Sequence, residues 1–463
     1  MRVNGNSLFL LTATLFLIGT VQAQSQASLL DQGQSEARAG RIEAALLHYA
    51  EFRRIQPEDP RSYVYSAQAM VDTGRIHDAE IEIGEALNLP VLDGQLAYQV
   101  GRILLKLERP QFVPQVLDPF LGSGRIGPKS LELLAESYLE QRRFEESLSV
   151  LDRLASSAPL GEKSLLLKGK VLVGLNRLDQ ALEVFEKVAQ QNPASAEAFD
   201  QLSLVSLRGN NPEAAKKMAL AAVQIEPDNP TYLHQLGQSC KALGQEGEAI
   251  PYLERAIELG GTGSQIYFDL GDSYRKTGER TKARAALAEY QQHLNRLRGE
   301  QEITQMIAEG EQALTVNDTT RAKEVFKRVL ERDPDNWIAH NRLAKVLLFG
   351  GDSKNAIDHI RKLLELDGKS SEAEFLTALY WYGEKNFVKA RPHAEAARRL
   401  RPGHAECRSL MGNLLLLAGD QEGALEEYKA AMELSPSKAE FRRSYEILSH
   451  ELKKGPVKTG WLQ

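Results

Sequence analysis

Apolar residues in this chain recur at helical spacing, in pairs of short amphipathic stretches. Leu233, Leu236, Gly237 and Cys240 stand at i, i+3, i+4 and i+7, one face of a helix. Ala249, Leu253 and Ala256 do the same for a second helix beyond Gly244. The pair recurs every 34 residues. Stepping from Ala45 by 34 meets Ala79, Val113, Ser147, Ala181, Ala215, Ala249 and Ala283; after one five-residue insertion the series resumes as Ala322, Ala356, Ala390 and Ala424. Twelve residues before each stands Gly33, Ala67, Gly101, Ala135, Gly169, Ser203, Gly237, Gly271, Gly310, Ala344, Ala378 or Gly412, all small. Twelve residues after it, seven times, stands a proline: Pro57, Pro159, Pro193, Pro227, Pro334, Pro402 and Pro436.

Paired small residues let two helix axes approach closely where they cross. Gly244 sits where a helix C-cap calls for positive φ, and the proline cannot continue a helix interior. Each repeat is thus a helix–turn–helix that cannot bury its apolar face alone, so repeats must stack.

Period, small pair and terminal proline resemble the tetratricopeptide repeat (TPR) family over Gln26 to Lys438. The resemblance implies an all-α fold, a right-handed α-solenoid of stacked 34-residue helix–turn–helix repeats. Eight repeats fill 26–297, residues 298–302 form an insertion or hinge, and four more fill 303–438. Residues 439–455 read as a capping helix and 456–463 as a tail. The third repeat (94–127) is the most degenerate, with Pro110, Pro114 and Pro119 in or near its second helix, and is expected to be distorted. Between Lys282 and Val316 there is no proline, and besides Gly310 of the small-residue series there is one glycine, Gly299. Two readings remain open there: a longer second helix with a loop at Gly299, or one continuous helix.

The segment 1–23 has the three-part layout of a secretory signal peptide: Arg2, the apolar run Ser7 to Gly19, and Val21-Gln22-Ala23 before Gln24. An uncleaved anchor is the alternative, although the run falls short of the roughly 20 residues a bilayer requires. No other stretch is long enough to span a membrane. The expected location is therefore exported, periplasmic or secreted, with membrane tethering if the segment is retained. Two cysteines, Cys240 and Cys407, are too few for a disulfide scaffold or a multi-cysteine metal site. They lie several repeats apart and are expected to be free thiols, with Cys240 buried.

With 57 basic against 63 acidic residues the net charge is -6, a poor footprint for nucleic-acid binding. Repeats leave no room for a catalytic domain. The chain has no phosphate-binding loop, GxSxG, HExxH or CxxC, so no enzyme, cofactor or metal is expected. His404 and Cys407 form an HxxC pair, which alone is a weak metal signal. His340 and His359 read as surface residues.

By resemblance, the first helices of the repeats line a concave groove with positions 2, 5, 6, 9, 12 and 13. Repeats six to eight place Gln201, Gln235 and Asp269 at 34-residue steps, with Asp200, His234, Gln238, Asp272 and Arg275 nearby. Such a polar ladder suits the backbone of an extended peptide; an ordinary solvated helix face is the bland reading. In repeat eleven Phe375, Leu379 and Tyr382 stand at i, i+4 and i+7, with Leu348 and Leu416 in the flanking repeats. They form a candidate apolar patch, unless the terminal helix covers them. Glu132, Glu136 and Glu140 face Lys163 and Lys170 and read as ion pairs between repeats. The carboxylate clamp of chaperone-binding members is not matched: Asn341 and Lys345 stand in reverse order, with Leu376 and Leu410 where polar groups are wanted. The expected function is a non-enzymatic scaffold of the cell envelope or secretory compartment that binds a protein or peptide partner. The alternative is an accessory module of polysaccharide export or carbohydrate binding.

Overall fold

The computed structural model describes residues 28–89, 93–122, 126–261 and 263–453, so the 1–23 segment and the 456–463 tail lie outside the described residues. Among the described residues all regular structure is helical. In chain order the helices are α1 (28–38), α2 (Ile42–Ile55), α3 (Arg61–Asp72), α4 (Ile76–Leu87), α5 (Gly94–Lys106), α6 (Val113–Leu121), α7 (Pro128–Glu140), α8 (Phe144–Ser157), α9 (Glu162–Gly174), α10 (Leu178–Gln191), α11 (Ala196–Arg208) and α12 (Pro212–Ile225). They continue as α13 (Pro230–Ala242), α14 (Glu246–Glu258), α15 (Ser264–Thr277), α16 (Arg280–Thr315), α17 (Thr319–Arg332), α18 (Trp337–Phe349), α19 (Ser353–Leu366), α20 (Ser371–Gly383), α21 (Phe387–Leu400), α22 (Ala405–Leu417), α23 (Gln421–Leu434) and α24 (Ala439–Leu452). Consecutive helices pack on one another, pair after pair, as stacking of incomplete repeats requires.

The crossing within each pair is set by residue size. A Cβ added at Gly33, Gly169, Gly237, Gly271, Gly310 or Gly412 would stand 2.3 to 2.8 Å from Tyr49, Phe185, Leu253, Leu287, Phe326 or Tyr428 respectively. The large side chain always stands at the same offset in sequence, on the second helix of the pair. The small first-helix position is therefore a socket for a second-helix knob, and the recurrent alanine, fully buried from Ala45 to Ala424 wherever it occurs except at the slightly exposed Ala283, lies one turn before it. In the fourth repeat Ser147 takes the alanine place and donates its hydroxyl to Ala135 O at 2.7 Å.

Each turn inside a repeat passes through the left-handed region at one residue, spaced by the same 34: Gly40, Gly74, Glu108, Arg142, Asn176, Asn210, Gly244 and Gly278, then Asn317, Gly351, Lys385 and Gly419. Gly and Asn dominate because they carry little or no penalty there. The next residue caps the second helix in several repeats: Asn211, Asp318, Asp352, Asn386 and Asp420 each accept from a backbone N–H three residues on.

Two local expectations are answered. The third repeat is irregular, with a 3-10 turn at Pro110–Phe112 and a second helix, α6, of only nine residues. Of the two readings of 282–316, the structure has the continuous one: α16 runs for 36 residues, and 298–302 lie inside it. Its early part packs as the partner of α15, with Leu287 in the Gly271 socket. Its late part packs against α17, with Phe326 in the Gly310 socket.

The chain divides into two compact units. Unit 2 comprises residues 108–304; unit 1 joins residues 1–107 with 305–463. In unit 1 the first two repeats pack against the last three. Arg53 pairs with Glu82 at 2.5 Å, and Arg401 pairs with Glu82 and with Glu85, both at 2.6 Å. Arg53, Glu82 and Arg401 are all buried, and Gly403 leaves the room the Arg53 guanidinium occupies. Asp78 accepts from the Ser371 backbone N–H at 3.2 Å and its hydroxyl at 2.7 Å, at the start of α20. Arg75 donates to Leu400 O at 2.8 Å. The His77 ring stacks on Trp337, with centroids 3.9 Å apart.

Cys240 and Cys407 are both buried free thiols, and burial pushes the Cys407 thiol up to about 12. Cys407 donates to Ala394 O and no metal-ligating cluster occurs among the described residues. His340 and His359 correct the surface reading. His340 is buried, its Nδ1 lies 2.9 Å from His359 Nδ1, and its Nε2–H donates to Pro334 O at 2.9 Å.

Candidate functional site

The polar ladder of repeats six to eight lies within unit 2 on α11, α13 and α15, and the structure knits most of it to itself. Asp269 is the hub. It accepts from His234 Nε2 at 2.9 Å, Gln238 Nε2 at 2.9 Å and Lys241 Nζ at 2.6 Å. Burial alone would raise its pKa, but these donors hold the carboxyl at about 2. Asp272 is bridged by Arg275 at 2.6 Å and by Lys276 at 3.1 Å. Gln235 donates to Ser203 at 3.2 Å. Lys241, which supplies the central cation, is a residue the sequence reading missed. It stands less than one full repeat before Asp269, so stepping by 34 could not pair them.

Asp200 is the exception. Its Oδ2 accepts from Gln201 at 3.2 Å while Oδ1 is buried without a partner. Burial pushes the carboxyl up to about 6. In the acidic line of repeat four Glu136 forms the expected ion pair with Lys163 at 2.9 Å, while Lys170 turns away from the line to Glu197 on the next repeat at 2.5 Å.

The apolar patch of repeat eleven is corrected. Phe375 is only 7% exposed, with its ring edge-on to His404 at 4.6 Å. Leu416 is 1% exposed and packs with Leu448 of α24, so the terminal helix covers it. Leu348, Leu379 and Tyr382 are half-buried. A solenoid packs each first helix against its neighbours on two sides, and repeat eleven is also pressed by the first repeats. The five residues thus form no continuous exposed patch, nor a pair of open stacking platforms for a sugar.

A groove missed at the sequence level lies on the first-helix face of repeats one to three. A cleft of about 750 Å³ is walled by α1, α3 and α5. Across the three helices its side chains form a lattice at 34-residue steps: Asp31, Tyr65 and Gln99; Gln34, Gln68 and Arg102; Arg38, Asp72 and Lys106. Asp72 is held by Gln68 at 2.7 Å and Lys106 at 3.1 Å. Gln99 Oε1 is buried without a partner. Arg38 and Arg102 line the cleft with no carboxylate partner among the described residues. The same stepping that exposed the alanines would have found this lattice.

Stacked helix pairs with sockets at one fixed position and a left-handed turn residue at another define an all-α repeat array. Residues 30–88, 132–196, 166–230, 307–371 and 375–439 match the tetratricopeptide repeat, and further tetratricopeptide-repeat matches cover 230–259 and 265–293. The chain belongs to the tetratricopeptide repeat family. A search of curated proteins found no match. Among solved structures, yeast Tom70 is 14% identical, with 93% of this chain and 97% of that chain covered at a TM-score of 0.30. The Cut9 and Hcn1 assembly of the APC/C is 13% identical over 91% and 96% at 0.29. A MamA structure is 18% identical over 36% of this chain and 97% of that chain at 0.31. Likeness at this level adds nothing to the family assignment.

Proposed function

We propose that this chain is a non-enzymatic scaffold of the cell envelope or secretory compartment that holds an extended segment of a partner protein against the first helices of its repeats. The observation that carries the reading is the cleft of repeats one to three. It sets Gln34, Gln68 and Gln99 beside unpaired guanidinium groups in a lattice whose rows advance by one repeat. Side-chain amides offer both donor and acceptor to a peptide backbone, and a repeat array presents them at regular intervals along an extended ligand. The N-terminal pattern of 1–23 supports the compartment.

Site-specific photo-crosslinking tests the reading. A photoreactive residue at Gln68 should capture a partner in the native envelope, whereas one at the exposed Glu51 on α2 should not. Equal capture at both, or none at Gln68, would place the interaction elsewhere. The mature protein should begin at Gln24; an intact Met1 in the membrane fraction would replace cleavage by anchoring.

A further inference from the structure

Phe349, the last residue of α18, is 75% exposed, a large apolar ring left in solvent. It stands in a cleft of about 710 Å³ built within unit 1 by the end of α16, the start of α17 and α18. Leu314 and Val346 extend its apolar wall, and Val316, next in chain to the lining residue Asn317, is itself 71% exposed. Basic groups ring this wall. Lys323 lines the cleft with no ion-pair partner among the described residues. Arg342 pairs with Glu311 at 2.6 Å, and Lys345 pairs at 2.7 Å with Glu372, which lies outside the lining. The lining therefore carries three cations against one carboxylate.

We propose that this cleft takes an acidic, apolar segment of a partner protein: a leucine or aromatic side chain packs on Phe349, Leu314 and Val346 while a neighbouring carboxylate meets Lys323. The proposal rests on the scaffold reading above and deepens it by naming the partner's chemistry. Burying Phe349 against an apolar side chain supplies the non-directional part of the affinity. A carboxylate at Lys323 supplies charge complementarity, which orients the segment and speeds its arrival. The charged side chains of the segments 1–27 and 454–463 are basic. Residues 1–27 carry only Arg2, and 454–463 carry Lys454 and Lys458; neither has an acidic side chain.

The test is selection of twelve-residue peptides from a random displayed library on the full chain, followed by binding of the selected peptides in solution. Selected sequences should combine Asp or Glu with Leu or Phe. Phe349→Ala should weaken them by about tenfold or more. Lys323→Glu should weaken them about as much, and binding should fall as salt is raised. Because both side chains are peripheral to the packed core, thermal unfolding of the variants should match the parent. Acidic apolar peptides that bind both variants as tightly as the parent overturn this site and leave the scaffold reading standing. So does enrichment of basic or purely polar peptides whose binding Phe349→Ala weakens. Self-association of the parent that Phe349→Ala abolishes makes the occupant a second copy and also overturns it. Selection of no peptide at all overturns the scaffold reading together with this one.

Discussion

At the scale of single residues, position decides what a side chain contributes more than type does. Gly412 lies under Tyr428, and a Cβ there would come within 2.6 Å of the ring. Gly412→Ala should overpack the crossing of α22 and α23 and cost roughly 1–3 kcal/mol in urea unfolding, although alanine is the better helix former. The small residue at this position was legible, because it repeats. Its partner on the second helix was not, because Leu, Ile, Phe, Tyr and Ala all occur there and no one type marks the position from repeat to repeat. Asp200 sets a second test. Its carboxyl is raised to about 6 in the folded chain against an ordinary 3.8, so the folded state binds the proton more tightly than the unfolded one. Stability is then greatest below about pH 4 for this group, falls as pH rises towards 6, and is level above it, a loss of roughly 2–3 kcal/mol. Asp200→Asn should remove that slope from a series of unfolding curves between pH 4 and 6. An unchanged slope would assign it to other groups.

At the scale of elements, the 34-residue step carries nearly all of the information. It placed helix pairs, turns and sockets, because every repeat solves the same packing problem with the same few positions. It was silent where the problem changes. Across 298–302 the period breaks, and periodicity alone could not choose between a loop and a helix. The structure resolves this with α16, in which Gly299 is an ordinary helical residue, without positive φ and with nothing within 4 Å of a Cβ built on it. Glycine in a helix interior costs about 1 kcal/mol relative to alanine. Gly299→Ala should therefore stabilise the chain by about 0.5–1 kcal/mol, read as a raised unfolding midpoint. A loop turning through the left-handed region at Gly299 would instead make the same substitution destabilising. The ladder of repeats six to eight teaches the same lesson for function: its spacing was visible in sequence, but not that His234, Gln238 and Lys241 all spend their donors on Asp269.

At the scale of the whole molecule, a one-dimensional array would couple each repeat only to its neighbours, and unit 1 departs from that. Asp78 and Ser371, Arg75 and Leu400, Glu82 and Arg401, and His77 and Trp337 join residues hundreds of positions apart. None of these pairs carries a periodic signature; in sequence nothing joins Glu82 to Arg401. Folded, they are buried together with Arg53. Although burial alone would raise it, the two guanidinium groups hold the Glu82 carboxyl at about 2. A charge so buried contributes less by existing than its partners lose when it is removed. Glu82→Gln leaves Arg53 and Arg401 in a dry site without their shared countercharge, so it should cost about 3–5 kcal/mol. The pH dependence has a definite sign. The folded pKa is depressed, so the network's contribution is fully present above about 4.5 and is lost as pH falls towards 2. Glu82→Gln should flatten that acid limb. Hydrogen exchange locates the effect. If the long-range contacts couple the first repeats to the last, Glu82→Gln should lower protection in α2 to α4 and in α20 to α23 together, while α9 to α14 in unit 2 keep theirs. Loss confined to α2 to α4 would mean that the first repeats stand on their own neighbours alone, and that the buried ion network couples nothing across unit 1.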